Sequence, residues 1–189
     1  VIPVFDGAST LPALIEELEL LTQETTTPCG RRFKVDEVLL VWDRGPESSA
    51  DVIRQLSKQY EWVRAIWLSR NFGQHAATLA GMTSSSGDWI VTLDEDGQMD
   101  PSFIGTMLDR AYTTESQLVY GKPTNAPPHG RVRNAGSRFT KWLFVKFLAD
   151  QDFKEFNSYR LMLGEVGRSV AAYTGTGVYL DVALSWVVS

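Results

Sequence analysis

The chain has 189 residues, of which 43% are hydrophobic and 11% aromatic, and its formal net charge is −5. This composition is typical of a globular protein, and the acidic balance argues against a general nucleic-acid-binding protein. The single cysteine excludes an internal disulfide and favours a reducing compartment. No apolar run approaches the roughly 20 residues that a membrane-spanning helix needs. We expect one domain over residues 1–189, trimmed at both ends, because no initiator methionine precedes Val1.

The first half of the sequence alternates strand and helix patterns, which predicts an α/β fold with a mainly parallel sheet flanked by helices. The predicted strands are, in chain order, 1–5, 37–42, 63–68, 89–93 and 117–120. The predicted helices are 11–21 capped by Ser9 or Thr10, from Ser48 or Ser49 to about 60, 73–86, one from Pro101 capped by Asp100, and a basic helix over 135–149. Residues 25–34 are predicted to form a polar loop.

Carboxylates follow three of the predicted strands at the point where each strand ends. They are Asp6, Asp43, and the pair Asp94 and Asp96. The carboxyl ends of parallel strands share one edge of a sheet, where open α/β sheets bind their ligands. Because side chains alternate along an extended strand, Asp94 and Asp96 are expected to face the same way and Glu95 the other. The pair predicts a divalent-cation site beside a substrate pyrophosphate, with a simple acidic turn as the alternative.

Positive charge is concentrated in one segment of the second half. Residues 116–149 contain six lysines and arginines and no aspartate or glutamate, which suggests an anionic partner such as a phosphate or a membrane surface, with a solvated loop and helix face as the alternative. Within this segment, residues 137–147 interleave cations with aromatic side chains. Such a stretch can contact a membrane surface, with a core-packing helix whose cations reach solvent as the alternative.

Several common sites have no support in the sequence. No Gly-x-Gly-x-x-Gly follows the first strand, and there is no Walker phosphate loop. An EF-hand counted from Asp94 would need a carboxylate at its twelfth position, which is Gly105. The two histidines, His75 and His129, belong to no cluster with zinc-ligand spacing. We expect each of them at a surface or core position and not as a ligand.

One stretch of the sequence is specific enough to suggest a family. It begins with Leu-Ser-Arg-Asn-Phe-Gly-Gln-His-Ala-Ala at 68–77, continues with Ala-Gly-Met at 80–82 and Gly-Asp at 87–88, and ends with Leu-Asp-Glu-Asp-Gly-Gln-Met-Asp-Pro at 93–101. This run resembles the family 2 inverting glycosyltransferases of GT-A fold, particularly the branch of polyprenyl-phosphate sugar synthases such as dolichyl-phosphate mannose synthase. Weaker matches at 2–5, 41–43, 119–121 and 159–162 extend the resemblance over most of the chain.

The resemblance implies a nucleotide-sugar site in the first half of the chain. By position, Asp43 corresponds to the partner of the nucleotide base, and Pro3 and Phe5 to the lining of that pocket. Arg70 is expected near the donor. The resemblance divides the domain into a nucleotide-sugar-binding half, 1–121, and an acceptor-side half, 122–189.

The resemblance also implies a metal site and a catalytic residue. Asp94 and Asp96 look like the Asp-x-Asp pair of the family, which contacts the donor and binds Mg²⁺ or Mn²⁺, with Asp96 as the direct ligand. The metal offsets charge on the departing nucleoside diphosphate. Asp181 is the candidate general base for a hydroxyl acceptor. An anionic polyprenyl phosphate needs no base, and Asp181 would then position the substrate.

The sequence departs from the family pattern at three motifs. Asn-Glu is common after the first strand, where this chain has Asp6-Gly7. The second strand usually ends in Asp-Asp-Gly-Ser, which reads Trp-Asp-Arg-Gly at 42–45, and the Asp-Phe-Arg motif of the polyprenyl branch reads Ser-Tyr-Arg at 158–160. These departures affect the base pocket and the acceptor side more than the Asp-x-Asp pair.

Together these features predict an inverting glycosyltransferase. It would move a sugar from a nucleotide diphosphate donor, with a UDP-sugar favoured, to a polyprenyl-phosphate, lipid-linked or saccharide acceptor in a cell-envelope pathway. We expect it in the cytoplasm, at the inner face of the membrane. The alternatives are a sugar nucleotidyltransferase on a related fold and a noncatalytic glycosyltransferase-like module that binds a partner.

Overall fold

The computed structural model describes residues 1–121, 158–175, 178 and 180–185. The strands are β1 (Ile2–Val4), β2 (Thr25–Thr26), β3 (Arg32–Phe33), β4 (Val38–Trp42), β5 (Val63–Trp67), β6 (Trp89–Thr92), β7 (Leu118–Tyr120) and β8 (Arg160–Leu163). The helices are α1 (Leu11–Glu19), α2 (Glu47–Gln59), α3 (Gln74–Ser84), α4 (Ile104–Thr113), α5 (Gly164–Tyr173) and α6 (Leu180–Ser185), with a 3₁₀ turn at Pro101–Phe103 before α4. The predicted basic helix at 135–149 and its membrane contact at 137–147 lie outside the described residues.

The strands form a parallel sheet and an antiparallel sheet that meet at β1. Strands β1, β4 and β5 are parallel in the order β1-β4-β5, whereas β8 lies between β6 and β7 and is antiparallel to both. The Leu93 amide donates to the Val1 carbonyl oxygen at 3.1 Å, which places β6 beside β1. The predicted parallel arrangement is confirmed for β1, β4 and β5. Strand β7 runs in the same direction as β6, because both are antiparallel to β8, a strand that the sequence patterns did not predict and that lies between them.

Helices cover both faces of the parallel sheet. Helices α1 and α2 pack on one face, where apolar side chains of β1 and β4 form a core with them that includes Ile2, Leu14, Leu40 and Ile53. Helix α3 packs on the other face together with α5. It approaches closely because Gly81 has no side chain: a Cβ atom there would lie 2.4 Å from Val1 Cγ1. This close packing fixes where the first turn of α3 meets the sheet edge.

Local start signals were predicted with mixed success. The Asp100 carboxylate accepts a hydrogen bond from the Ser102 amide at 2.9 Å, so the predicted cap is confirmed. Thr10 is the residue before α1, but its hydroxyl donates to the Gly7 carbonyl oxygen and caps no amide. Helix α2 begins at Glu47 after Pro46, so a serine cap at 48 or 49 is wrong. Pro46 occupies the cap position with an extended backbone, φ −53° and ψ 144°, and no side chain caps the helix there.

The predicted polar loop at 25–34 contains a small hairpin. Strands β2 and β3 pair antiparallel, with Thr26 opposite Arg32. Asp109 on α4 anchors the turn between them, because its carboxylate accepts hydrogen bonds from the Thr27 hydroxyl at 2.6 Å and the Cys29 amide at 2.8 Å. The loop prediction failed here because the two strands are only two residues each and are held by a residue far away in the sequence.

Candidate donor site

The carboxyl ends of β1, β4 and β6 lie along one edge of the molecule. The Glu95 carboxylate, in the turn after β6, accepts hydrogen bonds from the Phe5 amide at 3.0 Å and the Asp6 amide at 3.1 Å. It therefore ties the turn after β6 to the end of β1. The structure brings the strand-end carboxylates to one edge, as the sequence pattern predicted.

Asp43, at the end of β4, holds the loop that leads into α3. Its side chain is only 4% exposed, and its two oxygens accept hydrogen bonds from the amides of Phe72 at 2.7 Å and Gly73 at 2.8 Å. Gly73 has a φ of +88°, a left-handed conformation that favours glycine. Asp43 thus shapes the 70–73 loop, and its contact with a nucleotide base stays a prediction.

The corner after Asp43 is tight. Arg44 has a positive φ of 55°, and its guanidinium lies 5.3 Å from the ring centroid of Trp42. A Cβ atom at Gly45 would be 1.7 Å from the Phe5 carbonyl oxygen, so any larger residue there would force the ends of β1 and β4 apart. The Trp42 indole nitrogen is buried and has no hydrogen-bond partner among the residues that the structure describes.

The other predicted donor residues differ in their accessibility. Phe5 is 48% exposed at the sheet edge, and Arg70 is exposed with its guanidinium 4.6 Å from the ring centroid of Phe72. Both can contact a ligand. Pro3 is buried within β1 opposite Val41, so its role at this edge is to help form the strand that ends there.

Asp94 is held by two neutral side chains, one on each oxygen. The Gln74 amide nitrogen donates to Oδ1 at 2.5 Å, and the Ser158 hydroxyl donates to Oδ2 at 2.5 Å. Burial raises the pKa of the Asp94 carboxyl; the Ser158 bond opposes that rise, and the negative charge of Asp96 adds to it. Asp96 is exposed and accepts a hydrogen bond from the Gln98 amide at 3.1 Å.

The prediction that Asp94 and Asp96 lie on one extended strand is wrong. Strand β6 ends at Thr92, and Glu95 and Asp96 lie in a turn that Gly97 completes with a φ of +67°. Alternation along an extended strand therefore cannot bring Asp94 and Asp96 together. Asp96, in the turn, nevertheless lies near enough for its negative charge to raise the pKa of the Asp94 carboxyl.

The donor set fits a divalent cation shared with a substrate. Two carboxylates with spare lone pairs are hard oxygen ligands, and their mutual repulsion in a half-buried site would be offset by Mg²⁺ or Mn²⁺. Within the described part of the chain, no group of three or more histidine, cysteine, aspartate and glutamate side chains could hold a metal alone. A metal at Asp94 and Asp96 would complete its coordination with water and phosphate oxygens.

Asp181 lies in the first turn of α6 and is engaged in a buried ion pair. Its oxygens accept hydrogen bonds from Arg160 Nε at 2.6 Å and Nη2 at 2.9 Å, and from the Tyr120 hydroxyl at 3.2 Å. The sheet register places Arg160 between Thr92 and Tyr120. Asp181 is 6% exposed and its charge is paired with Arg160, so acting as a general base would require it to leave this pair.

Sequence patterns missed four residues of this edge, namely Gln74, His75, Ser158 and Arg160. His75 is half-buried; burial lowers its pKa, as does the charge of Arg160, while Asp181 and Asp94 oppose this shift. His75 therefore lies among the charged groups of the edge, whereas the sequence suggested an ordinary surface or core position. The available signals were the first turn of the predicted helix after Gly73 and the match at 159–162.

A cavity of about 490 Å³ lies at the opposite edge of the sheet, between the β2–β3 hairpin and the beginnings of β4 and β6. None of the predicted site residues lines it. This cavity is therefore separate from the predicted donor site. None of the helices in the described ranges is long and apolar enough to cross a membrane.

Solved structures share this fold at low sequence identity. The Staphylococcus aureus TarS fragment 1–349 matches with a TM-score of 0.66 and 11% identity, covering 100% of this chain and 55% of that one. The mannosyltransferase PcManGT from Pyrobaculum calidifontis, in complex with GDP-Man and Mn²⁺, matches with a TM-score of 0.62 and 11% identity over 96% of this chain and 48% of that one. These similarities confirm the predicted GT-A fold.

A curated relative is more similar in sequence. The undecaprenyl-phosphate 4-deoxy-4-formamido-L-arabinose transferase of Salmonella choleraesuis (strain SC-B67) is 39% identical over 112 residues, which are 59% of this chain and 32% of the relative. The match thus spans about a third of the relative's length. The family model described as glycosyl transferase family 2 matches residues 1–174. This match covers most of the sequence, and the chain belongs to glycosyl transferase family 2.

Proposed function

We propose that this chain binds a nucleotide-sugar donor at the carboxyl edge and is part of an inverting glycosyltransferase that moves the sugar to a polyprenyl phosphate. A UDP-sugar is the favoured donor. The observation that carries the proposal is the half-buried Asp94, which feels the charge of the exposed Asp96 and accepts a hydrogen bond from Gln74, the residue after the Arg70–Gly73 loop held by Asp43. The relative named as an undecaprenyl-phosphate sugar transferase supports the lipid-phosphate acceptor.

Each part of the edge has a role in donor binding. Asp96, being exposed, is the direct metal ligand, and Asp94 completes the carboxylate pair. When bound, Mg²⁺ or Mn²⁺ offsets negative charge on the departing nucleoside diphosphate. Arg70 is exposed on the loop and offers a second cation to the phosphates. Phe5 provides an accessible aromatic face for the nucleotide base.

The ion pair of Asp181 favours a phosphate acceptor over a hydroxyl acceptor. A hydroxyl nucleophile needs a base to remove its proton, whereas a polyprenyl phosphate is already anionic. Asp181 has both oxygens bonded to Arg160, so its proposed role is to position Arg160. Lipid-linked and saccharide acceptors remain the second choice, since they require Asp181 to leave the ion pair.

The proposed location is the inner face of a membrane, because a polyprenyl phosphate is anchored in the lipid. Membrane contact through residues 137–147 remains a prediction from sequence. The family membership argues against the sugar nucleotidyltransferase alternative. The noncatalytic alternative is separated from the proposal by donor binding.

The proposal is tested by calorimetric titration of UDP and GDP, with and without Mn²⁺, into the wild type, Asp96→Ala and Asp51→Ala. Asp51 is an exposed aspartate on α2, bonded to Arg54, and serves as the matched control. We expect UDP to bind in a Mn²⁺-dependent manner, Asp96→Ala to abolish that dependence, and Asp51→Ala to retain it. Absence of nucleotide binding by the wild type would overturn the proposal and favour the noncatalytic module.

A further inference from the structure

We infer that Gln74 and Ser158 are positioning residues that orient the Asp94 carboxylate toward the metal, which rests on the function proposed above. Each donates one hydrogen bond of 2.5 Å, and the two bonds go to different oxygens. The donors approach from separate parts of the chain, since Gln74 begins α3 and Ser158 precedes β8. A carboxylate held at both oxygens cannot rotate freely about its Cβ–Cγ bond.

The two bonds leave Asp94 able to bind a cation. An ionised carboxylate has about four lone-pair sites, and two hydrogen bonds occupy half of them. Both donors are neutral, so they fix the carboxylate without adding positive charge that would repel the metal. Lysine or arginine at either position would hold Asp94 equally well but would cancel the charge that attracts the cation. The residue types thus match a ligand-orienting role.

Ser158 is itself anchored to the antiparallel sheet. Its carbonyl oxygen accepts hydrogen bonds from the Thr92 hydroxyl at 2.5 Å and from Arg160 Nη1 at 3.4 Å. Arg160 is in turn fixed by Asp181. The buried ion pair therefore helps to hold Ser158, and the charge of Arg160 also acts directly on the Asp94 carboxyl.

Gln74 is anchored from the other side. The amides of Phe72 and Gly73, immediately before Gln74, are held by Asp43. Asp94 is consequently oriented by two separately fixed segments, one attached to the parallel sheet and one to the antiparallel sheet. Outer-shell partners of this kind typically contribute about 10-fold to 100-fold to metal affinity.

The test measures Mn²⁺ binding directly, by the electron paramagnetic resonance signal of free Mn²⁺ during titration in the presence of UDP. The variants are Ser158→Ala, Ser158→Thr, Gln74→Met and Asp96→Ala, with Ser57→Ala as the matched control. Ser57 lies on α2, and its hydroxyl donates to the Ile53 carbonyl oxygen. We expect Ser158→Ala and Gln74→Met each to weaken Mn²⁺ binding about 10-fold. Ser158→Thr retains the hydroxyl and should bind Mn²⁺ like the wild type, as should Ser57→Ala.

The outcomes separate this inference from the proposed function. If the wild type binds Mn²⁺ and Asp96→Ala does not, while both Ser158→Ala and Gln74→Met bind normally, the positioning role is refuted and the donor site stands. If the wild type binds no Mn²⁺, the proposed function fails and the inference with it. Far-UV circular dichroism identifies any variant that does not fold. Because Gln74 is exposed, Gln74→Met tests the inference without changing a core residue.

Discussion

The carboxylates near the parallel strands and near the antiparallel strands have different hydrogen-bond partners. In the parallel half, Asp43 is buried and accepts hydrogen bonds from two backbone amides. In the antiparallel half, Asp181 forms an ion pair with Arg160. Asp94, at the junction, accepts its side-chain hydrogen bonds from the neutral Gln74 and Ser158 and lies near a second carboxylate. A carboxylate satisfied by amides or by a cation maintains the fold. A carboxylate that lies near a second carboxylate and accepts hydrogen bonds from neutral donors can still bind a metal.

The largest expected effect comes from breaking the buried ion pair. Asp181→Ala leaves the Arg160 guanidinium buried without its counter-charge, and we expect the free energy of unfolding to fall by about 3–5 kcal/mol in urea denaturation. The double variant Arg160→Met/Asp181→Leu removes both charges and should recover much of this loss. If Asp181→Ala abolished turnover with no loss of stability, Asp181 would be a catalytic base and the contrast between the halves would fail.

An intermediate effect is expected at Asp43. Asp43→Ala removes the acceptor of the partly buried Phe72 amide, whereas the Gly73 amide keeps its hydrogen bond to Asn71 Oδ1, and we expect about 1–3 kcal/mol less unfolding free energy together with weaker UDP binding in calorimetry. Asp43→Asn retains one carbonyl acceptor and should lie between the wild type and Asp43→Ala. Weaker UDP binding with unchanged stability would mean that Asp43 contacts the nucleotide and does not hold the loop.

The smallest effect concerns the pH dependence of stability. Burial and the charge of Arg160 lower the pKa of His75 in the folded protein below its ordinary value of 6.5. The unfolded chain therefore takes up a proton before the folded one does, so the contribution of His75 is complete above about pH 6.5 and is lost as the pH falls. Urea unfolding of the wild type and His75→Gln from about pH 8 to about pH 5 should show a shallower decline for the variant. Parallel declines would place His75 outside the charged edge.

The parts of the fold that sequence predicted are those with local signals. Strands β4 and β5 are apolar runs bounded by turn residues, and their parallel pairing follows from the helices between them. Strand β8 has four residues and carries no glycine turn signal directly before it, unlike β6, which follows Gly87 and Asp88. Its pairing joins Arg160 to Thr92 and Tyr120, which no local period reveals.

The site was predicted in its residue types but not in its connections. Asp94 and Asp96 were expected to alternate along an extended strand. Strand β6 ends at Thr92, and Asp96 lies in the turn that follows. The bond from Ser158 to Asp94 spans 64 positions, so its role could not be read from the motif alone. The roles of Asp43, Arg70 and Asp181 toward a substrate stay predictions.

The left-handed backbone at Arg44 has a consequence for recognising distant relatives. In the pattern Asp-Asp-Gly-Ser, the glycine falls at the position that Arg44 occupies here, and the φ of 55° is one that glycine adopts without strain. Arg44 therefore departs from the family pattern in its side chain but holds a backbone angle that suits glycine, at a conformational cost of about 1–2 kcal/mol. A search that compares letters scores this corner as divergent. A comparison of backbone angles instead finds at Arg44 an angle that suits the glycine of the family pattern.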